Sequence, residues 1–394
     1  MSGGGHGGDS KTWIVILVAG LVLCGAGYGM HYGGVELPGW VLPLLFAIGG
    51  LMVIFGSCEA MILSVEGLGT KLGWNRFVAG AIATLASNVP EIIMLGFVVA
   101  AEPRVAFVVV ALTLHVNALV FGVYSGVLPR DERGHARLPT ALVRTSTDLF
   151  LSGGGALLAT GTLMVVMQVF QTGEHQGEGF GAVDLAVIGG CLLMVQVVSV
   201  RQMIKQFAGK AGDAKQEPEE GEDEGPPPSW GKVVGFGVLG LTTSVVGGHA
   251  VGDFADALVL GLTDAGYSEM IGAIVLSVFA GAGAFVMTAM AHFRKMYDIA
   301  LANISGAITQ VPFVVLPAVM IIMAVLAFTG VIPTLPSGAV LSIDLETTSV
   351  ILLAFPPMLI LWKSVQDDGA VNWVETAGMV AVFGLTIYFL AVHG

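Results

Sequence analysis

Polar residues are so sparse along this chain that the apolar runs between them define its architecture. Hydrophobic stretches of about 20 residues, each long enough to cross a bilayer as a helix, recur about eleven times. They cover residues 12–30, 40–66, 76–101, 104–127, 143–168, 182–204, 232–261, 268–291, 299–328, 346–363 and 373–392. The fifth is the weakest, because Asp148 and the run Gly153-Gly154-Gly155 interrupt it. This pattern predicts an all-α polytopic membrane protein. Lys11 ahead of the first run gives it the look of a signal peptide. Leu23 before Cys24 is a poor lipobox, however, and no small-x-small cleavage site follows, so a retained first helix is expected.

Composition agrees. Of 394 residues, 55% are hydrophobic and 11% charged, whereas soluble domains carry about 25% charged residues. The 56 glycines suit transmembrane helices that approach closely. Cys24, Cys58 and Cys191 all fall inside apolar runs, which argues for packing roles rather than a disulfide framework. The formal net charge of −13 argues against nucleic acid or an anionic surface as partner. With the N-terminus on the cytoplasmic side, the inner loops collect Lys71, Arg130, Arg133, Arg137, Arg201, Lys205, Lys295 and Lys363 among others. Of the 16 basic residues only Arg104 then falls outside.

Inside the third run lies Ala86-Ser87-Asn88-Val89-Pro90-Glu91. A carboxylate at that depth is costly and marks an ion or proton pathway by default. Pro90 removes a backbone donor and leaves an upstream carbonyl without its helical partner, so a break in the helix is expected there. Free carbonyls beside a carboxylate and the Asn88 amide offer the oxygen donors a hard cation needs. Between the sixth and seventh runs, residues 209–229 hold Glu217, Glu219, Glu220, Glu222, Asp223 and Glu224 and then Pro226-Pro227-Pro228. That segment reads as an extended acidic cytoplasmic linker.

The linker divides the chain into 1–35 (tail and first helix), 36–208, 209–229 and 230–394. Five spans on each side of it is an odd number, so the second half enters the membrane inverted relative to the first. Inverted repeats of that kind typify secondary transporters. The interval from Glu91 to Asn117 recurs from Ala284 to Gln310. Glu59 and Glu66 are two helical turns apart, as are His249 and Asp256.

These residues resemble the calcium/cation antiporter superfamily. Glu59 through Asn117, with Glu66-Gly67-Leu68 and the Asn88-Val89-Pro90-Glu91 core, looks like that family's first alpha repeat. His249 through Pro317 is similar to the second, and Asp298-Ile299-Ala300-Leu301 with Gly306-Ala307-Ile308-Thr309-Gln310 reads like the cation/proton exchanger branch. The resemblance implies one helix plus two inverted five-helix repeats. It also implies that Glu91 coordinates the cation and takes up a proton in exchange, with Asn88, Asn117 and Gln310 as accompanying polar residues. One departure stands out. Where the second repeat normally supplies its own acid, this chain has Ala280-Gly281-Ala282-Gly283-Ala284.

His249, Asp253 and Asp256 form a polar stripe on the seventh span, a candidate replacement for the missing acid, with His249 able to carry a proton near neutral pH. The same stripe also reads as a seam between helices. Glu59 is a further auxiliary candidate, and Glu66 sits near the cytoplasmic end. His115 reads more as an interhelical hydrogen-bond donor than as a ligand. There is no zinc spacing, phosphate-cradling loop or nucleophile triad, so no enzyme and no cofactor are expected.

The expected function is cation/proton antiport by alternating access at a midplane site centred on Glu91, the one firm metal ligand. Calcium is favoured, with monovalent exchange as the alternative on substrate. A non-transporting sensor or scaffold that uses the linker is the alternative of another class. Expected partners are the cation, protons and the lipid bilayer; a homo-oligomer is left open. The expected location is a bacterial-type inner membrane.

Overall fold

The structure is a computed structural model that describes residues 12–35, 37–72, 76–138, 140–170, 179–208, 228–293, 295 and 297–393. The tail at 1–11 and almost all of the acidic linker, 209–227, lie outside the described residues, as do the loop acids Glu36, Glu174 and Glu178. The helices are α1 (Thr12–Tyr32), α2 (Val41–Leu72), α3 (Arg76–Ala101), α4 (Pro103–Val127), α5 (Thr140–Phe170), α6 (Ala182–Ala208) and α7 (Trp230–Asp264). They continue with α8 (Glu269–Phe293), α9 (Tyr297–Gln310), α10 (Leu316–Phe328), α11 (Leu345–Leu353), α12 (Phe355–Asp367) and α13 (Trp373–His393). A π-helical turn, Val311–Val315, fuses α9 to α10.

Among the described residues, 9 helical segments are long and apolar enough to cross a membrane, and two shorter apolar stretches, Leu85–Ala101 and Glu269–Phe285, complete the set. Together these account for every span expected from the sequence. Two spans differ from a simple helix, and a third differs from what its proline predicts. Ala300–Phe328 crosses as α9, the π turn and α10, while Leu345–Asp367 crosses as α11 and α12. The α11–α12 joint falls at Ala354, ahead of Pro356-Pro357, whose missing N–H groups cannot continue the ladder. The third difference is a correction: α3 runs unbroken through Pro90. Proline's fixed φ is itself helical, and membrane helices tolerate the lost bond. The helix α8 likewise passes through Gly281–Ala284 without interruption.

The chain divides into two compact units, residues 1–97 with 195–254, and residues 98–194 with 255–394. Each takes helices from both sides of the linker. In the first unit α1, α2, α3 and α7 pack through small residues. A Cβ on Gly50 would lie 2.8 Å from Val251 Cγ2 and 3.0 Å from Gly247 O, and one on Gly248 would lie 3.0 Å from Met94 Cα. Such spacing lets backbones approach as closely as in small-residue membrane interfaces. Ser57 Oγ and Thr243 Oγ1, 2.7 Å apart, and Ser64 Oγ donating to Val233 O at 2.8 Å, fasten α2 to α7.

In the second unit α4 is the buried axis, with 89% of its span inside the protein. A helix that is apolar all round belongs in that position. Its ends are tied by short antiparallel ribbons and charges. At one end β1 (Ala136–Arg137) pairs with β4 (Ala370–Val371); a second ribbon joins β2 (Phe180–Gly181) to β3 (Ala339–Leu341). Arg104, the basic residue that breaks the inside bias, bonds Asp344 at 2.7 Å, Glu346 at 3.1 Å and Glu269. It thereby joins the N-terminal ends of α4, α8 and α11. Asp344 also caps α11, accepting the Thr347 N–H at 2.9 Å while its own N–H donates to Thr347 Oγ1. Burial pushes the Asp344 carboxyl up, but Arg104 and the Thr347 N–H outweigh it and hold the group below the ordinary carboxylate range.

Two outcomes follow for the purified protein. Gly50→Leu is expected to lower the thermal unfolding midpoint, since overpacking of this kind costs about 1–3 kcal/mol; Gly235→Leu, where a Cβ meets nothing within 4 Å, leaves it unchanged. Because the native Asp344 pKa is depressed, its contribution is full above the ordinary carboxylate pKa and fades as pH falls through the native value. Arg104→Gln should therefore destabilise by about 2 kcal/mol at neutral pH and by less in acid, a difference that unfolding curves at several pH values would read.

Candidate functional site

Glu91 lies on α3 within the apolar stretch Leu85–Ala101, near the middle of the helix. One of its carboxylate oxygens, Oε1, is buried and has no hydrogen-bond partner. Asn88, one turn earlier, is buried on the same helix. Pro90 cannot donate to the Ala86 carbonyl, so a further oxygen on this turn is without its helical bond. The turn is held from α2, where Cys58 Sγ donates to Ser87 O at 3.3 Å. A buried, unpartnered carboxylate oxygen is uncommon and needs a proton, a cation or water to satisfy it.

The polar stripe on α7 is only partly as expected. His249 Nδ1 lies 3.4 Å from Asp253 Oδ1, and the Tyr28 hydroxyl on α1 donates to Asp253 Oδ2 at 2.9 Å. The imidazole sits between two rings: Tyr28 at 5.5 Å and Phe97, stacked within 5°, at 5.4 Å. His249 and Asp253 thus form a seam with α1, while Asp256 is exposed further along the helix. Tyr28 is the partner that the sequence did not disclose. Nothing in α1 except an aromatic with a polar tip, in an otherwise apolar helix, could have signalled it.

In the second unit, Asn117 on α4 is 2% exposed and its Oδ1 has no hydrogen-bond partner. Two residues earlier, His115 is 1% exposed and its Nε2 lies 3.0 Å from Val350 O. A carbonyl only accepts, so Nε2 carries the hydrogen, and the ring braces α11 just before its joint with α12. This is the interhelical role expected for His115. Gln310, also buried, is the last residue of α9 before the π turn. Pro312 within that turn removes another ladder donor, and π turns of this kind concentrate at functional positions.

At the place of the missing second acid, the Ala284 carbonyl accepts from Thr288 Oγ1 at 2.8 Å and from Asn303 Nδ2 at 2.8 Å, and Asn303 also donates to Thr288 Oγ1 at 3.0 Å. A neutral amide–hydroxyl network thus occupies the position where the resembled family carries a carboxylate. Asn303 lies two turns before Gln310 on α9, so the two amides share one face of that helix. Glu59 and Glu66 both lie on α2, in the first unit, and both are half-buried. The side chain of Asp298 lies outside the described residues. Among the described residues no group of three or more His, Cys, Asp or Glu could hold a metal ion.

Residues 232–392 match the family described as sodium/calcium exchanger protein. No curated protein matches the sequence. Among solved structures, native YfkE superposes with a TM-score of 0.60 at 16% identity, over 96% of this chain and 99% of that one. The H+/Ca2+ exchanger CAX gives 0.62 at 15% identity, over 98% of this chain and 90% of that one. The sodium-calcium exchanger NCX_Mj gives 0.52 at 14% identity, over 88% and 98% respectively. Identities this low speak to fold. Residues 232–392 are thus similar to the sodium/calcium exchanger protein family, and the chain as a whole is an integral membrane protein that shares the fold of these solved exchangers.

Proposed function

We propose that the protein exchanges a cation for protons by alternating access, with Glu91 as the group that both ions compete for. The observation that carries this reading is the buried Glu91 Oε1 without a hydrogen-bond partner, in the middle of an apolar span. An ionised carboxylate at that depth is costly unless a cation sits on it; the neutral acid carries its own proton. Empty and charged is thus the disfavoured state. Each cation that arrives displaces one proton, and each proton that arrives displaces the cation, which couples the two gradients. Asn88 and the Ala86 carbonyl supply neutral oxygens on the same turn. Asn117 and Gln310 are the other amides that the family resemblance assigns to the cation.

Calcium is the favoured cargo, supported by the family match and by the likeness to CAX, an H+/Ca2+ exchanger, and YfkE, a Ca2+/H+ antiporter. One carboxylate balances one positive charge, so the network at Ala284 favours the alternative of a monovalent cation. Measured stoichiometry separates the two. The location consistent with this reading is a bacterial-type inner membrane with a cytoplasmic N-terminus, which places Arg104 and its acids on the outer face.

In proteoliposomes with an imposed pH gradient, wild type is expected to take up one of calcium, manganese, sodium or potassium. Glu91→Gln should reduce that uptake at least about tenfold, because an amide cannot trade a proton for a cation, while leaving the unfolding midpoint near wild type. Proton-coupled uptake that survived in Glu91→Gln would refute the assignment. No uptake of any ion by folded wild type would favour the sensor reading. The seam on α7 has its own test. If Asp253 replaces the second acid, Asp253→Asn abolishes exchange; if it only fastens α1, Tyr28→Phe and Asp253→Asn lower stability alike and transport persists.

A further inference from the structure

Beyond the transport site, the basic end of the second unit holds a built cavity. Leaving α4, the chain turns through a loop whose shape its own side chains fix. Asp131 Oδ1 accepts the N–H groups of Arg133 and His135, each at 2.9 Å, and Gly134 takes φ +78°. Those two N–H groups, that of His135 foremost, hold the Asp131 carboxyl below its usual range. Arg130 folds back over the loop. Its Nη1 donates to Gly134 O at 2.6 Å and Val371 O at 3.3 Å, its Nη2 to Ser125 O at 3.1 Å, and its guanidinium carbon lies 3.8 Å from the centre of the Trp373 ring. Carbonyls and an aromatic face thus position the cation, and no carboxylate appears among those partners.

Between this loop and the start of α9 opens a cavity of about 290 Å³, lined by Arg130, Asp131, His135, Arg137, Tyr297 and Leu301. Two arginines and a histidine thus share the lining with one carboxylate, Asp131, which the loop N–H groups already engage, while Asp368 stands beside the imidazole. The His135 ring is oriented by Asp368, with Nδ1 3.2 Å from Oδ2. Depth matters as much as charge. The span on α4 ends at Val127 and the span through α9 begins at Ala300, so the cavity lies where both helices leave the hydrocarbon. Its volume is at the lower edge of small-molecule pockets, large enough for a phosphate and its ester carbons.

We propose that this cavity binds a phosphate group at the membrane interface, as the headgroup of an anionic phospholipid or as a free phosphate ester. The Arg137 guanidinium fork matches phosphate oxygens in geometry, Arg130 adds positive charge while its Nη donors hold the loop, the Tyr297 hydroxyl can donate alongside, and basic pockets at the ends of membrane helices suit anionic headgroups. The chain's net charge of −13 opposes general attraction to an anionic surface. Recognition here is local, made by the loop and screened from the distant acids by salt.

The test uses the full-length protein in phosphatidylcholine nanodiscs, with thermal unfolding as the readout. One arm replaces part of the lipid with phosphatidylglycerol; the other adds inorganic phosphate to unchanged discs. The midpoint is expected to rise with at least one of these anions. Arg137→Gln and His135→Gln should each need about tenfold more anion for half the effect, the loss of one charge-assisted hydrogen bond. Arg201→Gln on α6 is the control for overall charge and should respond as wild type does. A rise with lipid alone identifies the headgroup, and a rise with inorganic phosphate in the absence of anionic lipid identifies a free phosphate ester. No rise with either anion, or an equal rise in both cavity variants, overturns the proposal.

Discussion

In hydrocarbon there is no water to satisfy a polar group, so each donor, acceptor and charge must find its partner within the chain or remain a liability. Most of the polar side chains discussed above obey that constraint. Arg104 is matched by three acids at helix ends, Asp253 by Tyr28 and His249, and His115 Nε2 by the Val350 carbonyl. Hydroxyls on α2 and α7 answer one another or a carbonyl. Against this background, Glu91 Oε1 is, among the described residues, the carboxylate oxygen left buried and unpaired. Its exception to the rule, more than its mere presence, makes it the candidate for exchange chemistry.

The same constraint explains why the spans were so legible. A membrane helix must be long and apolar whatever its partners, and that demand is written in the local sequence from Thr12 to His393. The place of Glu91 and Asn88 inside an apolar span was legible for the same reason, since a carboxylate and an amide in an apolar run announce themselves. Partnerships were not. Tyr28 meets Asp253 across most of the chain's length, and no local pattern in α1 encodes the residue it will bond. Asn303 carries no local mark, because one amide in the middle of α9 looks ordinary until Ala284 and Thr288 stand beside it.

The helix breaks illustrate a subtler failure. Proline was the correct signal, but its consequence depends on surroundings. At Pro90 the helix absorbs the missing bond and continues. At Pro312 the ladder widens into a π turn, and at Pro356-Pro357 it divides into two helices. Sequence identifies where a carbonyl loses its donor; packing decides whether the backbone bends, widens or stays straight.

Replacement of the second acid by Ala284 then becomes a question of charge rather than of shape. The fold retains α8 as a continuous helix there, and Thr288 with Asn303 satisfies the carbonyl without adding charge. A repeat that keeps its geometry while losing its carboxylate still presents oxygens but neutralises one fewer positive charge. For a divalent cation on a single carboxylate, the uncompensated charge in a low-dielectric interior is severe. On the proposed reading, either the cargo is monovalent or a second negative group joins during the cycle. Asp253 is the candidate for that group, and its hydrogen bond to Tyr28 means that α1 would have to release it first.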